Sequence, residues 1–190
     1  MKRRREQWKA WSIGIDPRRL VFIDETWTKT NMTRRRGRAL RGQRLVEKVP
    51  HGHWNTTTLI AALDRSGVRC SMVLDGAVNG DAFSAFVETV LTPTVHPGDL
   101  VVMDNLSSHK TQRVQSLIRA AGAHPVYLPP YSPDLNPIEG VFSKIKEHLR
   151  SLALRTQDVL WNSMQSVLDT VTSSDAVNAF RHCGYPLQFE

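Results

Sequence analysis

The sequence predicts an α/β domain in which helices flank one mixed five-stranded sheet. Two observations lead to this prediction. Short apolar and β-branched runs recur from the start of the chain, and segments with apolar residues at helical spacing alternate with the later runs. A chain of 190 residues with 41% hydrophobic and 23% charged residues can form one domain with a core. Elements of these two kinds pack as layers, with helices against the faces of a sheet.

The first half of the chain carries three predicted strands. RRLVFIDET (18–26) is a short apolar run that ends in two carboxylates. NTTTLIAALD (55–64) and VRCSMVLDG (68–76) are separated by the turn residues RSG, which predicts a hairpin. Residues 27–44 contain Thr, Asn and two glycines without an apolar period, and we interpret them as a basic hairpin or loop.

The middle of the chain alternates between helices and strands. Residues 80–95 have apolar side chains at helical spacing and Asp81 in the first turn, so they predict a helix. LVVMDN (100–105) predicts a buried strand, and residues 109–122 predict an amphipathic helix that stops at Gly122. HPVYLPP (124–130) predicts a short fifth strand.

Three further helices are predicted near the C-terminus, at residues 138–154, 156–171 and 174–182. The segment before the first of them, residues 128–137, contains four of the ten prolines. Proline fixes φ and lacks a backbone donor, so this segment is expected to be stiff and extended. It leads directly to Glu139 at the start of a helix.

Glu139 has two interpretations. Asn136, Pro137 and Glu139 fit an N-cap, a proline at the first helical position and a capping-box acid, so the carboxylate could only stabilise its helix. Alternatively, the rigid segment holds Glu139 in place for chemistry. The pattern of this segment alone does not decide between these two interpretations.

The charge distribution indicates a polyanionic partner. The formal net charge is +7, and residues 1–50 carry 15 of the 25 Lys and Arg but only 5 of the 18 Asp and Glu. A solvated surface is the alternative for any single charge run, but basic side chains concentrated in one quarter favour binding to nucleic acid phosphates. Residues 1–17 are interpreted as a basic leader and residues 18–190 as the domain. The candidate phosphate contacts are Arg34, Arg35, Arg36, Arg38, Arg41 and Arg44.

The remaining composition excludes several classes of protein. Two cysteines are too few for a disulfide framework and lack metal-ligand spacing, which favours a reducing, cytosolic setting. The longest apolar runs are far too short to span a membrane. His51 and His53 resemble part of a zinc site, but no third ligand lies nearby. Ser107 or Ser108 with His109 resembles a hydrolase triad, but no GxSxG motif is present.

The sharpest chemical feature is a set of three acids. Asp24 and Asp104 lie at the ends of predicted strands, where α/β sheets present functional groups, and Glu139 would join them. Three carboxylates in one place repel each other unless a divalent cation neutralises them, and Mg²⁺ prefers such oxygen ligands. Each acid also has a structural alternative: Asp24 could pair with an arginine, and Asp104 could cap the next element.

Taken together, LVFIDET (20–26), VVMDNLSSHK (101–110) and LPPYSPDLNPIEGVFSKIK (128–146) resemble the catalytic domain of DDE transposases. The similarity is to the mariner-type superfamily and its bacterial insertion-sequence branch, and it runs from about residue 20 to residue 185. Asp104 and Glu139 are separated by 34 intervening residues, the spacing typical of the last two acids in this superfamily. The resemblance implies a ribonuclease H-like fold.

The resemblance also implies a site and a reaction. Asp24, Asp104 and Glu139 are expected to be catalytic and to bind two Mg²⁺ ions, for which Mn²⁺ can substitute. The implied reaction is hydrolysis of DNA strands at transposon ends, followed by attack of the freed 3′-hydroxyl on target DNA, with TA as the expected target. Asn105, His109 and Asn136 are expected to support the acids. The implied partners are DNA and a second copy of the chain, as a homodimer or in a larger synaptic complex.

The chain departs from the family pattern at its N-terminus. Family members usually carry helix-turn-helix modules before the catalytic domain, and only about twenty residues precede the first predicted strand here. A truncated gene or a helix-turn-helix protein from an upstream reading frame is therefore expected. The expected location is the bacterial cytoplasm, in association with the nucleoid. A DNA-binding remnant without catalysis and a ribonuclease H-like nuclease are the alternative functions.

Overall fold

The computed structural model describes residues 2–51 and 54–186. It contains the predicted mixed sheet of five strands, in the spatial order β3-β2-β1-β4-β5. The strands are β1 Leu20–Lys29, β2 Thr56–Asp64, β3 Gly67–Asp75, β4 Leu100–Met103 and β5 His124–Tyr127. The predicted fold class, a mixed sheet flanked by helices, is confirmed.

Strand β1 lies at the centre of the sheet and extends beyond one of its neighbours. It pairs antiparallel with β2 over most of its length, and β2 pairs antiparallel with β3. Its parallel pairing with β4 covers only residues 20–22. From Ile23 onward, the edge of β1 that faces β4 has no paired strand residue. Asp24 therefore lies where the sheet opens, and Asp104 is the first residue after β4.

Six helices surround the sheet. Each of the five predicted helical segments corresponds to one of the helices α2 to α6. Helix α2 continues as a single π-helical turn at Val87–Leu91. None of the helices in the described part of the chain is long and apolar enough to cross a membrane. The helices are α1 Lys2–Ile13, α2 Gly80–Phe86, α3 Gln112–Ala120, α4 Pro137–Leu152, α5 Gln157–Leu168 and α6 Ser173–His182.

The sheet separates two hydrophobic cores. Alternate residues of β1 point to opposite faces, so Leu20 and Phe22 join the core formed with α4, α5 and α6. Val21 and Ile23 join the second core, formed with α2 and α3. By the same alternation Asp24 lies on the face covered by α4, which is the helix that carries Glu139.

Helix α1 was not predicted from the sequence. Its residues KRRREQWKA are good helix formers, but only one large apolar side chain, Trp8, is buried, so no amphipathic period was visible. Trp8 packs in the same core as α4 to α6. Residues 1–17 were interpreted as a leader apart from the domain, whereas most of this segment is a helix that packs on the domain.

Helix α4 ends in an unfavourable backbone conformation that offers a test of the fold. Ala153 adopts φ 53° and ψ 41°, and its N–H bonds to the Leu149 carbonyl. The left-handed region costs a non-glycine residue roughly 1–2 kcal/mol. We expect Ala153→Gly to raise the free energy of unfolding by about 1 kcal/mol in urea denaturation, because glycine adopts this conformation readily.

The matched control is Ala10→Gly, at an exposed position inside α1. There the same replacement should lower the free energy of unfolding by about 1 kcal/mol, because glycine is a poor helix former. A loss of stability at both positions would show that residue 153 does not terminate α4 in the left-handed conformation.

Candidate active site

Asp24 lies at the centre of the candidate site. The backbone N–H of Glu25 donates to its Oδ1 at 2.8 Å, and Asn136 Nδ2 donates to its Oδ2 at 2.7 Å. Burial, with smaller contributions from the nearby carboxylates of Glu139, Glu25 and Asp104, raises the pKa of Asp24 to about 7 against the opposing effect of the Glu25 N–H. This acid is therefore held in a position where its charge is unfavourable without a cation.

Asn136 does not cap helix α4 with its side chain. Pro137 is the first helical residue, as predicted, but among the described residues the Asn136 side chain makes no cap hydrogen bond. Its amide bonds Asp24 instead, and its Oδ1 is buried without a partner in the described protein. The capping-box interpretation of Asn136 and Glu139 is therefore wrong, because the Asn136 side chain is directed to Asp24 on β1 and its Oδ1 accepts no N–H of the helix. The Glu139 side chain is left exposed.

Asp104 lies at the turn that follows β4. Its Oδ1 accepts the N–H of Leu106 at 2.9 Å and lies 2.7 Å from Nδ1 of His109. Burial alone would raise the pKa of Asp104, but the contact with His109, the Leu106 N–H and the charge of Lys110 lower it below its ordinary value. This carboxylate is therefore charged at neutral pH, whereas Asp24, with a pKa of about 7, is only partly ionised there.

His109 is fully buried between two carboxylates. Nδ1 faces Asp104, Nε2 lies 3.1 Å from Oε2 of Glu25, and the ring stacks on Phe83 with centroids 4.0 Å apart. Both contacts are within ion-pair distance, although the N–H directions deviate from aligned hydrogen bonds. Burial lowers the pKa of His109, but the two acids outweigh burial and raise it to about 9. Neither ring nitrogen faces a serine, which disfavours the hydrolase triad.

The three predicted acids line one cleft. Its volume is about 550 Å³, and the proline-rich segment forms one wall. The structure thus brings together residues that are far apart in the sequence. The predicted residues on the wall of this cleft are Asp24, Asp104, Asn105, Asn136 and Glu139. Asn105 supports that wall, since its Nδ2 donates to the Leu128 carbonyl at 2.6 Å.

The donors in this cleft fit a hard divalent cation. Carboxylate oxygens are the ligands that Mg²⁺ and Mn²⁺ prefer, and Asn136, whose amide oxygen has no partner in the described protein, lines the same cleft. Burial, and to a lesser extent the neighbouring carboxylates, raises the pKa of Asp24, and a bound cation would favour its charged form. Within residues 2–51 and 54–186, however, no three His, Cys, Asp or Glu side chains already converge on one point. The carboxylates, above all the exposed Glu139, must rotate to bind one ion together.

The six arginines predicted to bind DNA lie on an exposed loop between β1 and β2. All of their side chains are exposed, and among the described residues none of them lines the cleft. The loop nevertheless approaches α4, because Arg34 Nη2 is 3.5 Å from the Ser151 carbonyl and Arg35 lies near Lys146. His51 also lies on this loop, but His53 is outside the described residues, so the predicted His pair is not described.

Several residues of the site were missed in the sequence analysis. Burial lowers the pKa of Lys146, while its charge interacts with Glu139 and Asp24. Its ammonium group is also 4.8 Å from the ring centroid of the exposed Trp27. Glu25, next to Asp24, is the second partner of His109. The seven-residue spacing from Glu139 to Lys146, two helical turns, was a signal for Lys146. Nothing local distinguishes Glu25 as the partner of His109.

A mixed five-stranded sheet with three carboxylates in one cleft defines a ribonuclease H-like domain, and solved structures share this fold. A Mos1 transposase paired-end complex with the left transposon end is 18% identical, with a TM-score of 0.78, and the match covers 96% of this chain and 57% of that one. A Mos1 mariner paired-end complex with Mn is 18% identical, with a TM-score of 0.74 and coverages of 96% and 57%. The isolated catalytic domain of Mos1 mariner transposase is 15% identical, with a TM-score of 0.67 and coverages of 96% and 89%.

Residues 19–160 match the family described as DDE superfamily endonuclease, and the chain belongs to this family. The match confirms the family predicted from the three motifs, whereas the bacterial branch stays a prediction. No curated protein matches the chain. The chain spans less than two thirds of the two Mos1 chains in paired-end complexes, but it overlaps nearly all of the isolated catalytic domain.

The raised pKa of Asp24 predicts a pH-dependent effect on stability. Its folded-state pKa of about 7 exceeds the ordinary value of 3.8, so the charge opposes folding above pH 3.8, and this penalty grows until about pH 7. We expect Asp24→Asn to stabilise the metal-free protein in urea, and to do so more at pH 8 than at pH 5, by roughly 1.4 kcal/mol per pKa unit. A flip of the Asn136 amide would bring its unpartnered Oδ1 to the N–H of the new amide.

The control is Glu6→Gln, at an exposed position on α1. It should leave the pH dependence of unfolding unchanged. Equal stability of Asp24→Asn and the wild type at pH 8 in the presence of a chelator would contradict the electrostatic description of the cleft.

Proposed function

We propose that the chain is a transposase catalytic domain that cuts DNA strands at transposon ends with the help of Mg²⁺. The freed 3′-hydroxyl would then attack target DNA. The observation that carries this proposal is the convergence of Asp24, Asp104 and Glu139 on one cleft of a DDE-family fold. The spacing of the last two acids supports it independently.

Asp24, Asp104 and Glu139 would hold two Mg²⁺ ions, or Mn²⁺ in their place. When bound, such ions activate the attacking oxygen and stabilise the leaving oxygen of a phosphodiester. The protein itself supplies the geometry: Asn136 and the Glu25 N–H orient Asp24, and His109 with the Leu106 N–H orients Asp104. Imidazolium between Asp104 and Glu25 also offsets part of the negative charge before a cation binds.

The basic loop would bind the DNA backbone. Its six arginines are exposed and free to reach phosphates, and Lys29 and Lys146 flank the exposed Trp27 beside them. The Mos1 paired-end complex that shares this fold contains a transposon end. Such contacts would place the DNA across α4 and the mouth of the cleft, because Lys146 lies near both the loop and the acids.

Other features of the proposal derive from the family resemblance. They are assembly as a homodimer or larger synaptic complex, a TA target, and action on DNA in the bacterial cytoplasm. Recognition of the transposon ends is assigned to helix-turn-helix modules, either in a longer protein or in an upstream-frame partner. The chain spans 57% of the Mos1 transposase in the first complex.

Loss of any one acid tests the reaction. Asp24→Asn, Asp104→Asn and Glu139→Gln should each abolish nicking of a plasmid that carries the transposon ends, with Mg²⁺ or Mn²⁺, because each removes a charged metal ligand. Nicking is measured by gel electrophoresis, and circular dichroism checks the fold. Glu88→Gln is the matched control, since this acid is exposed and pairs with Arg113 away from the cleft. Full activity of all three acid variants would rule out the proposed reaction.

A non-catalytic DNA-binding remnant is the second candidate. It is favoured by one observation, that the acids of the described chain do not already converge on one ion position. A remnant would bind DNA in a salt-dependent manner, show no nicking with either metal and ignore chelators. A ribonuclease H-like nuclease shares the acids. A competition assay between an RNA–DNA hybrid and duplex DNA as substrates would distinguish such a nuclease from a transposase.

The basic loop predicts a defined salt dependence. Replacing Arg34, Arg35 and Arg36 together by Gln should reduce the slope of log K against log salt concentration for duplex DNA by about 2 to 3, because each phosphate contact contributes roughly 0.9. The slope is measured by fluorescence anisotropy. Replacing the exposed Arg113 and Arg119 of α3 by Gln is the control and should leave the slope unchanged. An unaltered slope in the loop variant would exclude these three arginines from the DNA surface.

A further inference from the structure

The two ends of the described chain meet at the turn that precedes α4. This turn is the single 3-10 turn Pro133–Leu135. The Tyr185 hydroxyl donates to the Leu135 carbonyl at 2.7 Å and accepts the indole N–H of Trp8 at 3.0 Å. All three residues are buried. The hydroxyl thus connects the N-terminal helix α1, the segment after α6 and the turn, and both of its hydrogen-bonding roles are used.

A second contact from α1 reaches the same turn. Arg5 Nη1 donates to Ser132 Oγ at 2.9 Å and to Asp134 Oδ1 at 2.8 Å. Ser132 is buried, whereas Asp134 is largely exposed, so the ion pair itself contributes little and the arginine acts mainly through its hydrogen bonds. Helix α1 is therefore connected to the turn in two ways. Trp8 is connected indirectly, through the Tyr185 hydroxyl, and Arg5 bonds the turn directly.

Tyr185 also contacts the strand that carries the first acid. Its ring packs edge-on against Phe22, with centroids 5.1 Å apart, and lies 5.8 Å from Phe180. Phe22 is two residues before Asp24 on the same face of β1. One side chain thus contacts both elements that bear acids: the strand of Asp24 through its ring, and the turn before Glu139 through its hydroxyl.

The proline-rich segment has few other means of attachment. Pro129, Pro130 and Pro133 have no backbone N–H, and the hydrogen bonds of the Leu135 and Asn136 amides are local to the turn. Tyr131 adopts φ 53°, a conformation that persists in a non-glycine residue only when its surroundings restrain it. The first residue of this segment, Leu128, is attached to β4 by its N–H to the Met103 carbonyl, so beyond Leu128 the restraint comes from side chains of other elements.

We propose that Tyr185, together with Trp8 and Arg5 of α1, positions the turn and so holds Asn136 and Glu139 at a fixed position relative to Asp24. Asn136 follows the turn directly and bonds Asp24 at 2.7 Å, and Pro137 begins the helix of Glu139. These are positioning residues, since none of them lines the cleft within the described ranges. The inference rests on the proposed function for its catalytic consequence, but the restraint of the turn can be measured without catalysis.

The experiment compares Tyr185→Phe with the wild type in two assays. Phenylalanine keeps the ring against Phe22 but leaves the Leu135 carbonyl and the Trp8 indole without their partner. In metal-free protein, amide hydrogen exchange of residues 131–139 should accelerate roughly tenfold or more, because a buried polar group left unpaired favours local opening. In the nicking assay kcat should fall roughly 10- to 100-fold with KM for DNA unchanged, since the acids are misplaced while the DNA surface is intact.

Two further variants separate positioning from general stability. Trp8→Phe removes the indole donor together with part of the buried ring and should cause changes in the same direction, and it carries the test if Tyr185→Phe does not fold. Val167→Ala destabilises the same core from α5, away from the turn. It should leave exchange of residues 131–139 and kcat unchanged at a temperature where it remains folded.

Each outcome decides the inference. Unchanged exchange in Tyr185→Phe, or equal changes in Val167→Ala, would overturn it, because the hydroxyl would then have no specific effect on the turn. A fall in DNA affinity without a fall in kcat would also overturn it. If the wild type shows no nicking, the proposed function fails, and hydrogen exchange together with Mn²⁺ affinity measured by calorimetry still decides whether Tyr185 positions the turn.

Discussion

The hydrogen bond from Asn136 Nδ2 to Asp24 Oδ2 joins the strand that carries one acid to the segment that carries another. The rest of the site depends on this contact. Asp24 is fixed by its place on β1, where β4 no longer covers the strand, while Glu139 lies on a helix that packs across the same face. A short polar contact between these elements sets their separation. It also turns the Asn136 side chain toward β1, and its Oδ1, the oxygen that would accept a helix N–H, makes no cap hydrogen bond.

The second constraint on the cleft is electrostatic. Carboxylates gathered at one edge of a sheet repel each other, and the protein reduces the repulsion in two ways. His109 is buried as a cation between Asp104 and Glu25, and the Glu25 N–H and the Asn136 amide stabilise Asp24. Burial and the repulsion that remains raise the pKa of Asp24. A site of this kind gains from a divalent cation more than from any further protein contact.

Rigidity of the proline-rich segment and attachment of that segment are separate properties. Prolines limit its conformations, but they also remove the backbone donors by which it could bind to the sheet. The structure supplies the attachment from side chains at both ends of the described chain, through Trp8, Arg5 and Tyr185. The buried aromatic cluster of Phe22, Phe180 and Tyr185 connects that attachment to β1.

The sequence by itself determined the five strands, the five helices α2 to α6 and the family, because apolar periodicity, motifs and spacing are local properties of the sequence. It also predicted three acids, which the structure places on one cleft. It did not determine α1, whose single buried ring leaves no period, or the function of Asn136, whose position fits a helix cap. Only the tertiary structure decided that Asn136 bonds Asp24, that His109 bridges Asp104 and Glu25, and that Tyr185 reaches Leu135. These contacts join residues that are far apart in the sequence, and Asn136 and Asp24 are 112 positions apart. Such pairings depend on how strands and helices pack, which local residue patterns do not encode.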